Sequence, residues 1–195
     1  MRADRFTAFI DANVLVGALT CNVVLTLAEA GFFRPRWSPT VLDETERAVT
    51  DILQGHGRED AAMSAARKRR AIERAFPEAA IDGHDRLHAV FDLPDADDLH
   101  VAAAALRARA SIIVTDNVRH FPQEQLSPFD MEAQTCDEFV CNVIDLDPPA
   151  AVAALRRMRL RFARPRLDGA ALLDRFDAAG LTGSANLLLL DRANL

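Results

Sequence analysis

The chain has 195 residues, of which 50% are hydrophobic and 27% are charged, with a formal net charge of −6 at pH 7. This length is sufficient for one domain with a well-buried core, and the composition is that of an ordinary globular protein. A hydrophobic transmembrane helix is excluded, because no run of roughly 18 or more apolar residues is present.

The N-terminal residues and the cysteines predict a cytoplasmic protein. The opening stretch MRADRFTAF has neither the apolar run nor the cleavage site of a secretory signal. Cys21, Cys136 and Cys141 are odd in number and lack the spacing of a zinc site. We therefore expect three free thiols in a reducing compartment.

Charge is distributed unevenly along the sequence. Residues 1–150 contain 15 basic and 25 acidic residues, whereas residues 151–195 contain 8 basic and 4 acidic residues. An acidic body with a basic C-terminal stretch suits a protein that binds cations in one region and phosphates in another. A solvated surface is the simpler interpretation of the same counts.

The first predicted elements are a buried strand and three helices. Residues 7–11 (TAFID) predict the strand, and the apolar spacing after it predicts a helix that ends at Gly31. Ser38 followed by Pro39 is typical of a helix N-cap and first turn, so a helix is expected from 39 to about 53. Residues 58–76 predict the next helix, which Pro77 stops.

The rest of the chain alternates strands and helices. After an irregular segment, Pro94 precedes an acidic first turn that opens an alanine-rich helix. The later predicted elements are strands at 111–115 (SIIVT) and 131–135 (MEAQT), then helices at about 136–145, 148–163 and 169–179. This alternation predicts an α/β fold with a parallel sheet.

Four acidic residues lie where such a fold would place a site. Asp11 ends the first strand, Asp116 follows the strand 111–115, Asp98 opens the helix before that strand, and Glu44 lies in the helix after Ser38. The carboxyl ends of parallel strands form ligand sites, so these acids should cluster. A lone Asp after a strand is more simply a cap or turn residue, but an acidic cluster is stabilised by a divalent cation such as Mg²⁺ or Mn²⁺.

Four segments in order resemble the motif blocks of the PIN-domain nucleases. They are FIDANVLVGAL, SPTVLDETERAV, LPDADDLHVAAAA and IIVTDNVRHFP. The match is most similar to the VapC-type toxins of bacterial toxin–antitoxin pairs, in the branch with extended C-terminal helices. This resemblance implies a three-layer α/β fold, with a small central parallel sheet flanked by helices in a PIN domain over 1–146, and a helical extension over 147–195.

The resemblance also implies metal ligands at matching positions. Asp11 and Asp98 would be the principal ligands of Mg²⁺ or Mn²⁺, and Glu44 would be the third acid. The fourth acidic position of the family falls on Asn117, with Asp116 one residue earlier. Either residue could complete the site.

Further positions resemble residues that support the metal site. Asn13 and Thr115 correspond to polar residues that orient Asp11 and the metal waters. Arg119 is a candidate for phosphate contact or a solvent-exposed loop residue, and His100 is a candidate for substrate contact or a helix residue packed beside the site. Asp97 and Glu46 are interpreted as a first-turn charge and a surface charge.

The family implies a metal-dependent endoribonuclease that acts as a toxin on RNA. A cognate antitoxin protein would inhibit it, and a homodimer is expected, which the apolar stretch LAEAGFF (27–33) also favours. The alternative is a catalytically silent PIN module that acts in RNA binding or assembly, but this predicts loss of one or more acids. An aspartyl-phosphate phosphatase of the haloacid dehalogenase type would require a second Asp where Asn13 stands.

The basic stretch 156–166 (RRMRLRFARPR) has six arginines in eleven residues. Leu155, Met158 and Phe162 follow helical spacing, which predicts a helix with an apolar seam and a charged face. Binding to an RNA backbone is one use of that face. Pairing with acidic groups of this protein or of a partner is the other.

Overall fold

A computed structural model of the chain describes residues 6–162 and 166–195. These residues form two compact units. The sheet unit comprises Phe6–Val16 and Arg34–Gln134, and the helical unit comprises Gly17–Phe33 and the described part of Thr135–Leu195. Arg164 of the basic stretch and residue 163, the predicted end of a helix, lie outside the described residues.

A parallel sheet forms the centre of the sheet unit, with the strand order β2-β1-β3-β4. The strands are β1 (Thr7–Ile10), β2 (Arg34–Arg36), β3 (Ile112–Val114) and β4 (Glu132–Gln134). In β1, Ala8 pairs with Pro35 on one side and Ile112 on the other. The predicted α/β fold with a small parallel sheet is confirmed.

Helices connect and follow these strands. Those in the described residues are α1 (Ala12–Val16), α2 (Ala18–Ala30), α3 (Pro39–Gly55), α4 (Ala61–Ala75), α5 (Leu99–Arg107), α6 (Gln123–Leu126), α7 (Cys136–Leu146), α8 (Pro148–Leu160), α9 (Gly169–Ala178) and α10 (Thr182–Leu187). In the sheet unit, α5 packs against β1 and β3, and α3 packs against α1 and α4. The predicted start of α3 is confirmed, because Ser38 Oγ accepts a hydrogen bond from Val41 N at 3.2 Å.

The single helix predicted between the first strand and Gly31 is wrong, since Gly17 divides it into α1 and α2. Gly17 has an extended backbone (ψ 130°) and precedes the first turn of α2. A Cβ at this position would overlap Thr20 Oγ1, the hydroxyl that donates back to Gly17 O. At Gly31, by contrast, the left-handed backbone (φ 90°) ends α2 as predicted.

The helical unit is built from α2 and α7–α10. Its α2 packs against α7 and α8, and α10 packs against α7 and α9. Thr135 and Glu138 form a reciprocal capping box that starts α7, and the carboxylates of Asp147 and Asp168 cap α8 and α9. Cys21, Cys136 and Cys141 form no disulfide bond, as predicted.

Two further findings bear on assembly and membranes. Leu27 and Phe33, in the apolar stretch that favoured a homodimer, are only 0% and 1% exposed in the single chain. The expected homodimer therefore rests on family resemblance alone. None of the described helices combines the length and the apolar character needed to cross a membrane.

Candidate metal and active site

Asp11 and Thr115 immediately follow the two central strands of the sheet. The chain passes from β1 to β2 on one side and later adds β3 on the other side, so the order of strands switches between β1 and β3. Ligands of open α/β sheets bind at such a switch point, outside the carboxyl ends of the strands. Asp11 N continues the ladder by donating to Val114 O at 3.0 Å.

Asp11 is 5% exposed, and its carboxylate accepts hydrogen bonds at both oxygens. Oδ2 accepts from Thr115 Oγ1 at 2.7 Å and from Asn13 Nδ2 at 2.9 Å, and Oδ1 accepts from Ala12 N at 2.6 Å. Asn13 Nδ2 also donates to Thr115 Oγ1 at 2.9 Å. Asn13 and Thr115 thus hold the Asp11 side chain in one orientation.

Burial raises the pKa of Asp11 above its usual value. The hydrogen bonds from Thr115 and Ala12 act in the opposite direction, and the negative charges of Asp98 and Glu44 raise the pKa further. The three predicted acids therefore share one electrostatic environment. Carboxylates that repel one another at a buried position are stabilised by a bound cation.

Asp98 belongs to a tight group with Asp95 and His120. One ligand atom from each residue lies within 4.8 Å of the other two. His120 Nδ1 is 2.7 Å from Asp98 Oδ2 and 3.7 Å from Asp95 Oδ2. Arg119 Nε donates to His120 Nε2 at 3.3 Å, which assigns the ring proton to Nδ1, where it donates to Asp98.

Asp95 was not predicted as a site residue, and His120 had no predicted role. A sequence signal exists for Asp95, because it directly precedes a short 3₁₀ turn (Ala96–Asp98) that ends at Asp98. Side chains three residues apart eclipse in such a turn, so the spacing in PDADD brings both carboxylates to one side. His120 lies 22 residues from Asp98 in the sequence, and only the tertiary fold brings them together.

Glu44 contacts His100 on α5. Glu44 Oε1 lies 3.1 Å from His100 Nε2, and the His100 side chain is only 14% exposed. Burial acts to lower the pKa of His100, but the hydrogen bond and charge of Glu44, together with the charges of Asp11 and Asp98, raise it overall. Of the two roles that the sequence allowed for His100, the structure shows the packed neighbour of the site.

The remaining predicted residues are more peripheral. Asp116 and Asn117 are exposed, and their backbone amides donate to Asn13 Oδ1 and Thr115 Oγ1 at 3.2 Å each. Arg119 is exposed beside His120. That either Asp116 or Asn117 completes a metal site stays a prediction. Among the described residues, no group of three close ligand atoms includes Asp11, Glu44 or Asp116.

Asp97 and Glu46, which were interpreted as a first-turn charge and a surface charge, make no contact with Asp11 among the described residues. Glu46 Oε2 pairs with Arg69 Nη1 at 3.0 Å, away from the contacts of Asp11. Asp97 is exposed, and its amide donates to Asp95 Oδ1 at 3.0 Å. Neither residue is among the groups of close ligand atoms found in the described chain.

The donor set fits a hard divalent cation. Mg²⁺ takes oxygen ligands and usually binds through one or two carboxylates while it keeps several waters. Buried Asp11 and partly buried Asp98 supply such oxygens. His120 supports this set as the hydrogen-bond partner of Asp98 Oδ2, since its Nδ1 carries the proton.

Comparison with known proteins identifies the family. A family model described as a PIN domain matches residues 7–119, which is more than half of the chain. The chain belongs to the PIN-domain family. The match includes Asp11, Glu44, Asp98 and Asp116, and it confirms the predicted resemblance. A second model, described as the VapC50 C-terminal domain, matches residues 136–189 of this PIN-domain protein.

One curated relative supports the same placement. It is a Mycobacterium tuberculosis protein named "Putative ribonuclease VapC50", and it is 39% identical to this PIN-domain protein over 77 residues. The alignment covers 40% of this chain and 46% of the relative, so it spans less than half of either protein. No solved structure matches this chain.

Proposed function

We propose that this PIN-domain protein is an endoribonuclease that depends on a divalent cation. The observation that carries the proposal is that Asp11 is 5% exposed after the central strand β1, with its carboxylate held by Thr115 and Asn13. The negative charges of Asp98 and Glu44 also act on it. Burying a carboxylate among like charges is unfavourable unless a cation compensates it. The name of the M. tuberculosis relative supports RNA as the substrate.

Each site residue has a role in this proposal. Asp11 and Asp98 would hold Mg²⁺ or Mn²⁺, with Glu44 as the third acid and Asp116 or Asn117 as the fourth group. When bound, the cation supplies polarisation of a phosphoryl oxygen and lowers the pKa of water. Asn13 and Thr115 fix Asp11, and His120 fixes Asp98 Oδ2 by its Nδ1 proton.

Substrate contact falls to exposed groups beside these acids. The Arg119 guanidinium is exposed and offers hydrogen-bond donors to a phosphate. Single-stranded segments and loops are the expected RNA targets, since their unstacked bases are accessible to protein side chains.

The biological role that we propose is that of a toxin in a toxin–antitoxin pair. The match to a VapC50 C-terminal domain over residues 136–189 supports this role. The partner would be an antitoxin protein that offers Arg or Lys side chains to the acidic site. We also propose a homodimer, and light scattering that gives a 21.4 kDa particle at all micromolar concentrations would refute it.

Cleavage of bacterial RNA by the purified chain tests the enzymatic proposal. We expect new RNA 5′ ends in Mg²⁺ or Mn²⁺ and none in excess chelator. Asp98→Asn should lower the rate by more than about 100-fold, since even residues that only support metal ligands contribute 10–100-fold. Asp97→Asn, an exposed neighbour, is the matched control and should cleave like the wild type.

Two outcomes would contradict the proposal. Equal cleavage by wild type and Asp98→Asn would show that the acidic site is not responsible. Tight RNA binding without new 5′ ends in any cation would favour the silent PIN module instead.

A further inference from the structure

A second group of ligand side chains lies in the sheet unit, apart from the acids described above. It consists of His84, Asp85 and His88, at the start of a 3₁₀ helix (Asp85–Val90). One ligand atom from each of these residues lies within 4.8 Å of the other two. The two imidazole rings are 5.8 Å apart between centroids.

The two histidines carry buried nitrogens that the fold leaves unsatisfied. His84 is 6% exposed, and His84 Nδ1 and His88 Nε2 are buried with no hydrogen-bond partner among the described residues. Buried polar atoms in native proteins are normally paired, so each exception requires an explanation. A bound cation would be the partner of such ring nitrogens.

We propose that His84, Asp85 and His88 form a second metal site, for a cation of the Zn²⁺ class. Two imidazoles and one carboxylate are typical ligands of Zn²⁺, and three protein ligands leave a fourth position for water. Mg²⁺ binds mainly to oxygen and is poorly matched to two imidazoles. The two metal sites of the protein would therefore select different cations.

The arrangement needs only a small adjustment to bind the ion. A tetrahedral Zn²⁺ about 2.0–2.1 Å from each ligand holds the ligand atoms roughly 3.3–3.5 Å apart. Asp85 is exposed and His88 is partly exposed, so both side chains can rotate toward the buried His84. Burial of His84 also lowers its pKa, which favours the neutral ring that binds metals.

The proposed site would stabilise the segment that leads to the acidic site. Its 3₁₀ helix packs against α5, the helix that follows Asp98 and carries His100. A cation that binds only the folded protein raises stability by mass action. Zn²⁺ bound here would therefore hold the 3₁₀ helix in its folded position against α5.

Titration with Co²⁺, a spectroscopic substitute for Zn²⁺, tests the site in the full chain after metal removal. Excess Mg²⁺ is present to occupy the acidic site. We expect one equivalent of Co²⁺ with the visible absorption of a four-coordinate ion. The double variant that combines Asp85→Asn and His88→Gln should bind Co²⁺ about 10–100-fold more weakly or worse. Asp92→Asn, an exposed acid of the same segment, should not change it.

Controls separate this site from the others. The substituted residues are exposed or partly exposed, and circular dichroism verifies that the double variant is folded. Unchanged Co²⁺ affinity in that variant would overturn the proposal. Loss of the signal in Asp98→Asn, or a thiolate charge-transfer band from Cys141, would also overturn it by placing Co²⁺ elsewhere. None of these results depends on RNA cleavage.

Discussion

Thr115 donates its hydroxyl proton to Asp11, with 2.7 Å between Oγ1 and Oδ2, across 104 positions of the sequence. The bond joins the residues that follow the two central strands. It is one of the interactions that oppose the effect of burial on the pKa of Asp11. The ionisation of this acid is therefore coupled to a neighbouring hydroxyl group.

Replacing Thr115 by Val should raise the pKa of Asp11 further. The substitution keeps the shape and removes the donor, which leaves a buried carboxylate oxygen less satisfied and should cost about 1–3 kcal/mol of stability. The acidic limb of the pH–rate profile should move to higher pH, because Asp11 must be ionised to bind a cation. Thr115→Ser keeps the hydroxyl and should restore the profile. Identical profiles for the Val and Ser variants would contradict this role.

The charge of Asp11 should destabilise the metal-free protein as pH rises. Because its folded-state pKa lies above the usual 3.8, the unfolded chain ionises first, and stability falls between pH 3.8 and the raised pKa. Asp11→Asn lacks this effect. The free energy of unfolding of the variant minus that of the wild type should therefore increase through this window and then level off. Urea unfolding in chelator at a series of pH values measures the difference.

The same pair of proteins provides a control for the cation. Lost hydrogen bonds in Asp11→Asn shift the difference by a constant and do not change its slope with pH. Above the window, Mg²⁺ or Mn²⁺ at 100 times its dissociation constant should stabilise the wild type by about 2.7 kcal/mol and the variant by much less. Equal stabilisation of both proteins would exclude Asp11 as a ligand.

The arginines of α8 should divide into structural and exposed residues. Arg159 Nε donates to Leu195 O at 2.8 Å and its Nη1 donates to Leu167 O, within the helical unit. Arg159→Ala should therefore lower stability by about 1–2 kcal/mol. Arg156 and Arg157 are exposed, and their double alanine variant should keep the wild-type melting temperature. A stable Arg159→Ala variant would be inconsistent with this division.

RNA binding can be tested with the exposed pair alone. If Arg156 and Arg157 contact phosphates, their replacement should reduce the salt dependence of RNA binding by about one unit of slope per contact. An unchanged slope would leave these residues as solvated charges. Arg161, whose Nη2 donates to Thr26 Oγ1 at 2.9 Å, belongs with Arg159 in this comparison.

Gly169, the first residue of α9, should not tolerate a side chain. A Cβ there would overlap the carbonyl oxygen of Arg192, so the backbone would have to move. Gly169→Ala should destabilise the helical unit by about 1–3 kcal/mol. A Cβ at Gly55, at the end of α3, would meet no atom within 4 Å, and Gly55→Ala is the matched control. Thermal unfolding of both variants makes the comparison.

The sequence predicts the elements whose local signals agree with the fold. The apolar run 7–11 and the Ser38–Pro39 start signal both identified structured elements correctly. The edge strand β2 was missed, because its sequence Arg-Pro-Arg has no strand pattern. Proline is tolerated there since β2 pairs on one side only. Its position is determined by pairing with β1, which local propensity does not reveal.

The site was predictable where the family motifs and strand ends coincide. Asp11, Asn13 and Thr115 contact one another directly, as residues at adjacent strand ends should. The link from Asp98 to His120 and the burial of His100 beside Glu44 depend on how α5 packs in the sheet unit. Such contacts arise from tertiary structure and leave no periodic signal in the sequence.

The segments of the two units alternate along the sequence, and this sets the order in which their elements emerge during synthesis. Helix α2 belongs to the helical unit, but its packing partners α7 and α8 begin only at residues 136 and 148. Its buried side chains Val23, Val24 and Leu27 leave the ribosome more than a hundred residues before α8. Asp11 emerges before α2, and Glu44, Asp98 and Asp116 emerge in that interval. A pause in translation once the residues up to 134 have left the ribosome would thus display the complete set of acids on a nascent chain whose α2 still lacks its apolar partners.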